Sequence, residues 1–324
     1  MRPYDDLRRH VPAAAANRIG KRSRVVLLSL RQVRLALEER GTVLLTAVCE
    51  ALPMVAPLLR ATRSSDAVLA LCPAGALAEP RDRHHFFSEV VRQAEATRCN
   101  RPLILTAPPL KLRGFEEADL VAEQIYEWVE AGFTHVPLDV SGVDLARAPA
   151  IVERAAAPLL ENELGLELLV EPGQEDEVGE LTAGLKLLGI EVDLVGVLGG
   201  GAVGMAVAAS EVDPIAVSWW EGEEDEDFRS GLRNAVGAGA RMVALRSPFT
   251  RELIEGLPPE LREGEAPLEL LREILEDEDD PRLDEAARDR LEIGLLAETE
   301  DLLRLLRLRG AAGELLDHIL ADDA

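Results

Sequence analysis

Short apolar runs alternate with segments of helical periodicity along the first 250 residues of the chain. Runs of this length suit strands that are buried on both faces, and the segments between them have the length of helices. The alternation predicts an α/β fold of the (β/α)8 class, a TIM barrel, whose chemistry lies in the loops that follow the strands. The predicted strands are 42–48, 66–71, 102–107, 134–140, 166–170, 193–198, 215–219 and 241–245.

The segments between these runs predict the helices of the barrel. The clearest is 115–130, which has acidic residues in its first turn and places Leu120, Ile125 and Val129 on one inward face. Ahead of the first strand, an apolar pattern over 26–37 predicts a segment that plugs the bottom of the barrel. The other predicted helices are 53–63, 86–97, 150–163, 175–188, 203–212, 228–238 and 250–255.

The chain divides into three parts. Residues 1–24 form a basic N-terminal arm that we expect to be solvated and partly disordered, with a binding arm as the alternative, and the barrel spans 25–256. A Gly-Leu-Pro-Pro break then begins a helical C-terminal extension, 257–324, which contains no strand-like run. Its many leucines over 291–308 exceed what one helix buries against a barrel, which predicts a homo-oligomer or a partner protein bound through the Leu-rich C-terminal helices. Burial of these leucines on the chain's own barrel remains the alternative.

Composition excludes several classes of partner. The 60 acidic residues outnumber the 35 basic ones, and a net charge of -25 disfavours binding to nucleic acid or to an anionic membrane. The sequence has no apolar stretch that could span a bilayer and no apolar signal segment near residue 1, so we expect a cytoplasmic protein. Cys49, Cys72 and Cys99 are odd in number and widely spaced, which argues against disulfides and against a metal knuckle.

Several short motifs carry a resemblance to a known family. These are AVCEALP at 47–53, YEWVEAGFT at 126–134, LDVS at 138–141, and a glutamate, Glu171, at the end of the fifth strand. Their order resembles that of the class II (zinc) ketose-bisphosphate aldolase superfamily, and is closest to the non-catalytic subunit family of tagatose-bisphosphate aldolase. The resemblance implies a TIM barrel with its site at the carboxyl ends of the strands.

The departures from that family concern its zinc site. The resemblance implies a His-Leu-Asp-His type segment after the third strand, where this chain has LTAPPLK at 105–111. It also implies histidines after the sixth and seventh strands, where the sequence reads GGG at 199–201 and WWE at 219–221. Because a catalytic zinc needs about three nitrogen, sulfur or carboxylate ligands, we expect no metal and no cofactor.

Polar residues at or just after strand ends are the candidates for a site. Asp139 and Glu171 are a possible general acid and base, although either could instead cap the next helix, and Lys111 is a possible nucleophile. The glycine triplet offers backbone amides to a phosphate, and Arg246 offers a guanidinium fork. The predicted ligand-binding residues are Cys49, Ser141, Gly199, Gly200, Gly201, Arg246 and Ser247, with Glu50 and Glu221 also at the mouth.

Two functions are consistent with these observations. The first is a non-catalytic, aldolase-like structural, regulatory or interaction subunit, a pseudoenzyme that binds at most a small phosphorylated ligand. The second is a metal-independent carbon-carbon lyase acting on a sugar phosphate, with Lys111 forming an imine and Asp139 or Glu171 moving the proton. The acidic run 221–227 opposes a phosphate site beside it and is expected to face solvent, a basic partner, or Arg246.

Overall fold

All strands of the computed structural model run parallel, and they form two sheets that curve into one barrel. The structure describes residues 4–38, 41–145, 147–171, 174–198, 217–220, 228–262, 274 and 282–322. The strands are β1 (Val26–Leu27), β2 (Leu44–Cys49), β3 (Leu69–Pro73), β4 (Pro102–Leu105), β5 (Leu110–Lys111), β6 (Leu138–Asp139), β7 (Glu167–Val170), β8 (Leu194–Val197), β9 (Val217–Trp220) and β10 (Met242–Leu245).

The order of strand pairing confirms the predicted barrel. One sheet has the order β1-β4-β3-β2-β10-β9, and the other has the order β5-β6-β7-β8. A parallel bridge between Thr106 and His135 joins the end of β4 to the segment that leads into β6. The last strand, β10, pairs with β2, so the first and last of the eight predicted runs lie side by side. Each of those eight runs contains a strand, while β1 and β5 are short additions.

The helices follow the predicted pattern with one error of orientation. The buried residues of α5 are spaced as one face of a helix, and Leu120, which is 55% exposed, lies outside that face. They are Ala118, Val121, Ile125, Trp128 and Val129, of which Ile125 and Val129 were predicted to face inward. The inward position predicted for Leu120 is therefore wrong by one residue. The helices are α1 (Ala13–Ile19), α2 (Leu30–Glu38), α3 (Val55–Ser64), α4 (Arg83–Ala96), α5 (Ala118–Glu130), α6 (Ala148–Glu161), α7 (Glu175–Leu187), α8 (Phe228–Ala238), α9 (Ser247–Gly256), α10 (Pro259–Arg262), α11 (Glu285–Leu305) and α12 (Ala311–Asp322). The predicted helix 203–212 lies outside the described residues, and no described helix combines the length and the apolar character that a bilayer crossing needs.

The segment before the first barrel strand closes the bottom of the barrel, as its apolar pattern predicted. β1 pairs with the beginning of β4, and α2 then places Leu30, Val33 and Leu37 against the first residues of the strands. Arg31 on α2 donates hydrogen bonds of 3.0 Å from Nε to Asp193 Oδ1 and from Nη2 to Asp193 Oδ2. This ion pair fixes the plug to the residue that precedes β8.

The N-terminal arm is attached to the barrel, in contrast to the solvated arm expected from its charge. Tyr4 and Leu7 are fully buried, and the Tyr4 hydroxyl donates a 2.6 Å hydrogen bond to Asp66. Arg18 Nε donates to the Glu130 carbonyl at 2.8 Å. Burial of Tyr4 and Leu7 removes apolar surface from water and so stabilises the contact between this charged segment and the barrel.

The C-terminal extension covers its own barrel. α11 packs against α3 and α9, and α12 packs against α2. Backbone hydrogen bonds join the turn between α11 and α12 to the ends of barrel elements, including Val43 N to the Leu306 carbonyl at 3.1 Å. Self-association remains a prediction. Most of the leucines that motivated it are buried within the chain, which is the alternative the sequence left open, and Leu296 and Leu305 are partly buried. The buried leucines are Leu291, Leu295, Leu302, Leu303, Leu306, Leu308, Leu315 and Leu316.

Candidate functional site

The inside of the barrel is layered, with an apolar layer between two polar ones. Alternate residues of a strand point to the same side. Along β2 and the residue after it, one side carries Thr46, Val48 and Glu50, and along β7 it carries Glu167, Leu169 and Glu171. The middle members, Val48 and Leu169, pack together with Cys72 and Ala244 in one buried cluster. This cluster separates the polar side chains below it from those at the mouth.

A buried polar group lies below the apolar layer. His135 Nε2 lies 2.9 Å from Glu167 Oε2, an ion-pair distance without an aligned N–H···O hydrogen bond, and His135 Nδ1 lies 3.2 Å from Thr106 Oγ1. All three residues are fully buried. The sequence pattern did not predict this group, although a histidine and a glutamate inside apolar strand runs could have indicated a buried polar pair. His135 therefore lies in the interior and does not face the mouth.

At the mouth, Arg246 pairs with Glu50. The Arg246 Nε donates to Glu50 Oε1, and Glu50 is only 1% exposed while the Arg246 side chain is 36% exposed. The sequence offered Arg246 as the receptor of an anion, or as the partner of the acidic run 221–227, which lies outside the described residues. The observed pair compensates the guanidinium charge with a carboxylate of the chain itself.

A second group at the mouth brings together Lys111, Asp139 and Ser141. β5 pairs with β6 so that Lys111 lies opposite Asp139, and the Lys111 Nζ is 3.8 Å from Asp139 Oδ2. The backbone N–H of Ser141 donates a 3.0 Å hydrogen bond to Asp139 Oδ1. The buried Ser141 hydroxyl has no hydrogen-bond partner among the described residues. Asp139 is 8% exposed. Its buried carboxylate therefore has a lysine and a backbone amide as polar neighbours.

Glu171 lies apart from this group, directly after the end of β7. It is exposed, and its backbone N–H donates a 2.9 Å hydrogen bond to Gln174 Oε1. The Gln174 N–H in turn donates to the Glu171 carbonyl at 3.2 Å. Both bonds involve the backbone of Glu171 and not its carboxylate, so a helix-capping or catalytic role for that carboxylate stays a prediction.

The remaining predicted ligand-binding residues have different surroundings. Cys49 is fully buried in the apolar core, and its Sγ lies 3.7 Å from the Ala47 carbonyl, so it does not line the mouth. Burial, and secondarily the Glu50 charge, raise the pKa of the Cys49 thiol far above its usual value. Ser247 begins α9 directly after Arg246. Gly199, Gly200, Gly201 and Glu221 lie outside the described residues.

All three thiols should be unreactive in the folded protein. Cys49, Cys72 and Cys99 are buried, and burial raises the pKa of Cys99 to about 11. Since the thiolate is the reactive form, we expect no thiol to react with Ellman's reagent at pH 8 without denaturant. All three should react in guanidinium chloride, which serves as the control. A thiol that reacts within seconds in native buffer would contradict this placement.

The described mouth does not fit a zinc ion. Its acidic groups are Glu50, Asp139 and Glu171, of which Glu50 is bound to Arg246 and Asp139 lies beside Lys111. Among the residues that the structure describes, no group of three or more His, Cys, Asp or Glu side chains could hold a metal. A catalytic zinc would need three such ligands and an open position. Glu50 and Asp139 instead belong to two separate pairs of opposite charge, and Glu171 is exposed and apart from both.

Comparison with solved structures identifies barrels of the same fold. The chain is similar to the YdjI aldolase from Escherichia coli K12, with a TM-score of 0.65 and 12% identity over 89% of this chain and 100% of that one. The fructose-bisphosphate aldolase from Campylobacter jejuni gives a TM-score of 0.65 and 14% identity over 89% and 97% of the two chains. A putative fructose-1,6-bisphosphate aldolase from Coccidioides immitis gives a TM-score of 0.58 and 13% identity over 90% of this chain and 98% of that one. No protein-family model and no curated protein matches the sequence. At this level of identity the likeness establishes the fold alone, the (β/α)8 barrel that these proteins share.

Proposed function

We propose that this protein is an aldolase-like TIM barrel that works without zinc as a non-catalytic structural, regulatory or interaction subunit in the cytoplasm. The observation that carries the proposal is that two cations at the mouth already lie beside carboxylates of the chain. Arg246 is bound to the buried Glu50, and Lys111 lies beside Asp139. A phosphorylated substrate would have to displace these carboxylates before the cations could bind it.

The interior layers support the same conclusion. The cluster of Val48, Cys72, Leu169 and Ala244 fills the barrel directly below the mouth. A well-packed apolar layer gives no orientation to a sugar, whose hydroxyls need polar partners. The histidine inside the barrel, His135, lies beneath that layer and pairs with Glu167, out of reach of a ligand at the mouth.

A phosphorylated ligand at the mouth remains part of the proposal. Ser141 contributes a buried hydroxyl without a described partner, and Ser247 contributes the first amide of α9 next to Arg246. Gly199, Gly200 and Gly201 complete the proposed set as expected from the sequence. Such a ligand would bind by competing with Glu50 for Arg246.

One observation favours the second candidate, a metal-independent carbon-carbon lyase. The register of β5 and β6 places Lys111 next to Asp139, so an amine and a proton acceptor are adjacent. In this mechanism the Lys111 amine condenses with a substrate carbonyl and releases water, and Asp139 takes up the proton of the hydroxyl at the cleaved bond. The 49% exposure of Lys111 weighs against it, because an imine-forming lysine is commonly activated by burial in an apolar pocket.

A cleavage assay separates the two candidates. Purified protein at high concentration is incubated with a panel of ketose bisphosphates, with and without added zinc, and release of triose phosphate is measured. We expect no release above the rate without protein in either condition. The single variants Lys111→Met and Asp139→Asn are assayed beside the native protein.

Two results would contradict the non-catalytic proposal. Cleavage that Lys111→Met abolishes, together with trapping of a substrate adduct by borohydride, would establish the lyase. Cleavage that depends on zinc, with about one bound zinc per chain by elemental analysis, would establish a metal enzyme. Arg233→Gln, an exposed change on α8, serves as the control for handling and folding.

A further inference from the structure

A cleft of about 870 Å³ lies at the bottom of the barrel, far from the strand ends that form the mouth. It is bounded by residues 19–25, which run from the end of α1 towards β1, and by residues of the segment 94–100, which runs from the last turn of α4 towards β4. Both segments lead into the beginnings of strands, which are at the opposite end from the carboxyl termini. The volume is within the range of small-molecule binding sites.

The floor of this cleft is apolar. Val25, Ala94 and Cys99 line it and are buried, and Ile19 adds a further apolar side chain. Ser23 and Asn100 add polar groups, and the Ser23 hydroxyl accepts a 3.3 Å hydrogen bond from Val25 N. An apolar floor with few polar groups is the usual lining of a small-molecule site.

The rim of the cleft is strongly basic. Lys21, Arg22, Arg24 and Arg98 line it with exposed side chains, and Glu95 is the acidic residue of the lining. Four cations and one carboxylate give the lining a net charge of +3, in a chain whose net charge is -25. Three basic residues at the end of the N-terminal arm, Lys21, Arg22 and Arg24, therefore lie around one concavity together with Arg98.

These four cations are not compensated by the described part of the chain. Among the described residues, none of the four forms an ion pair with a carboxylate. Like charges around one cleft repel each other, and the repulsion is relieved by an anion between them. Arginine forks match phosphate oxygens with two parallel hydrogen bonds, which selects phosphate over a monovalent anion.

We propose that this basic cleft binds a small phosphate ester that carries at least two phosphate groups. The phosphates contact Arg22, Arg24, Arg98 and Lys21, and the organic part of the ligand lies on the apolar floor. The site is separate from the barrel mouth and does not depend on any activity there. An acidic surface of a second copy of this chain is the competing occupant, but the concave shape favours a small ligand.

Titration calorimetry of the full chain in magnesium-free buffer tests the proposal. The probes are inorganic pyrophosphate and ADP, and adenosine is the uncharged control. We expect both anions to bind at one site per chain, ADP more tightly than pyrophosphate, and adenosine to give no heat. The double variant Arg22→Gln/Arg24→Gln should weaken binding of both anions at least about tenfold, which is the effect of losing a charged hydrogen bond.

Three comparisons give the experiment its controls. Arg233→Gln/Arg290→Gln removes two exposed arginines elsewhere on the chain and should leave binding unchanged. Arg246→Gln removes the proposed anion receptor of the mouth, so it reports separately whether either probe binds there. Thermal melting of each variant without ligand shows that the fold is retained.

Other results would overturn the proposal. Absence of heat with both anions would remove the site, and equal binding by the Arg22→Gln/Arg24→Gln variant would place it elsewhere. Loss of binding only in Arg246→Gln would assign the anions to the mouth. If light scattering instead shows a dimer at low salt that Arg22→Gln/Arg24→Gln dissociates, and neither probe binds the native protein, the cleft holds a second copy.

Discussion

Asp193→Ala is expected to lower the free energy of unfolding by about 4 kcal/mol, near the loss seen when one partner of a buried ion pair is removed. The fully buried Asp193 carboxylate accepts hydrogen bonds from Arg31 and a 2.8 Å bond from Leu166 N, and Arg34 lies 3.6 Å away. The alanine variant would leave a buried N–H without an acceptor and would release the plug helix α2. Denaturation in urea, followed by circular dichroism, measures the change.

The matched control for this prediction is Asp144→Ala. Asp144 also pairs with an arginine, Arg147, but both side chains are exposed and the N···O distance is 3.7 Å. We expect a change of no more than about 0.5 kcal/mol there, because water and salt screen an exposed pair. Equal effects of the two substitutions would mean that Asp193 does not hold the plug.

The second large effect is expected at the buried pair below the apolar layer. Glu167→Ala should lower the free energy of unfolding by about 3 kcal/mol, because it leaves the buried His135 ring without its acidic neighbour and opens a small cavity. Residues at the mouth are not in contact with this pair, so any binding there should be unchanged. Urea denaturation again gives the free energy.

A double variant separates loss of the pair from loss of volume. Replacing both residues with apolar side chains of similar size, as in His135→Leu/Glu167→Met, should restore most of the stability lost in Glu167→Ala. The structural reason is that a buried polar pair contributes little beyond well-packed apolar residues of the same shape. A double variant less stable than Glu167→Ala would show that the pair itself, and not the filling of the barrel, is required.

Much of the fold could be predicted because its determinants are local. Each strand run and most helices follow from the spacing of apolar residues, and the plug over 26–37 follows from the same periodicity. The error at Leu120 arose because neighbouring apolar residues compete for the inward face, and the sequence does not say which of Leu120 and Val121 faces the barrel. The anchoring of the N-terminal arm depends on Tyr4 and Leu7, whose contacts lie far along the chain.

The candidate site was predicted less well, because successive side chains at the end of a strand point in opposite directions. Cys49 and Glu50 are adjacent, and only the register decides that Glu50 faces the mouth while Cys49 enters the core. The pairing of Glu50 with Arg246 joins residues 196 positions apart, and no local pattern contains it. Lys111 and Asp139 meet through the pairing of β5, a strand that the sequence did not predict.

The sequence by itself determined the order of the eight main strands and most of the helices between them, and it predicted the plug before the first barrel strand. These properties depend on residue type and on short-range periodicity, which a linear chain displays directly. Only the tertiary structure decided which charges neutralise each other, which leucines of α11 are covered, and that three basic residues of the arm line a cleft with Arg98. Those outcomes depend on contacts between distant segments, which exist only once the barrel has closed.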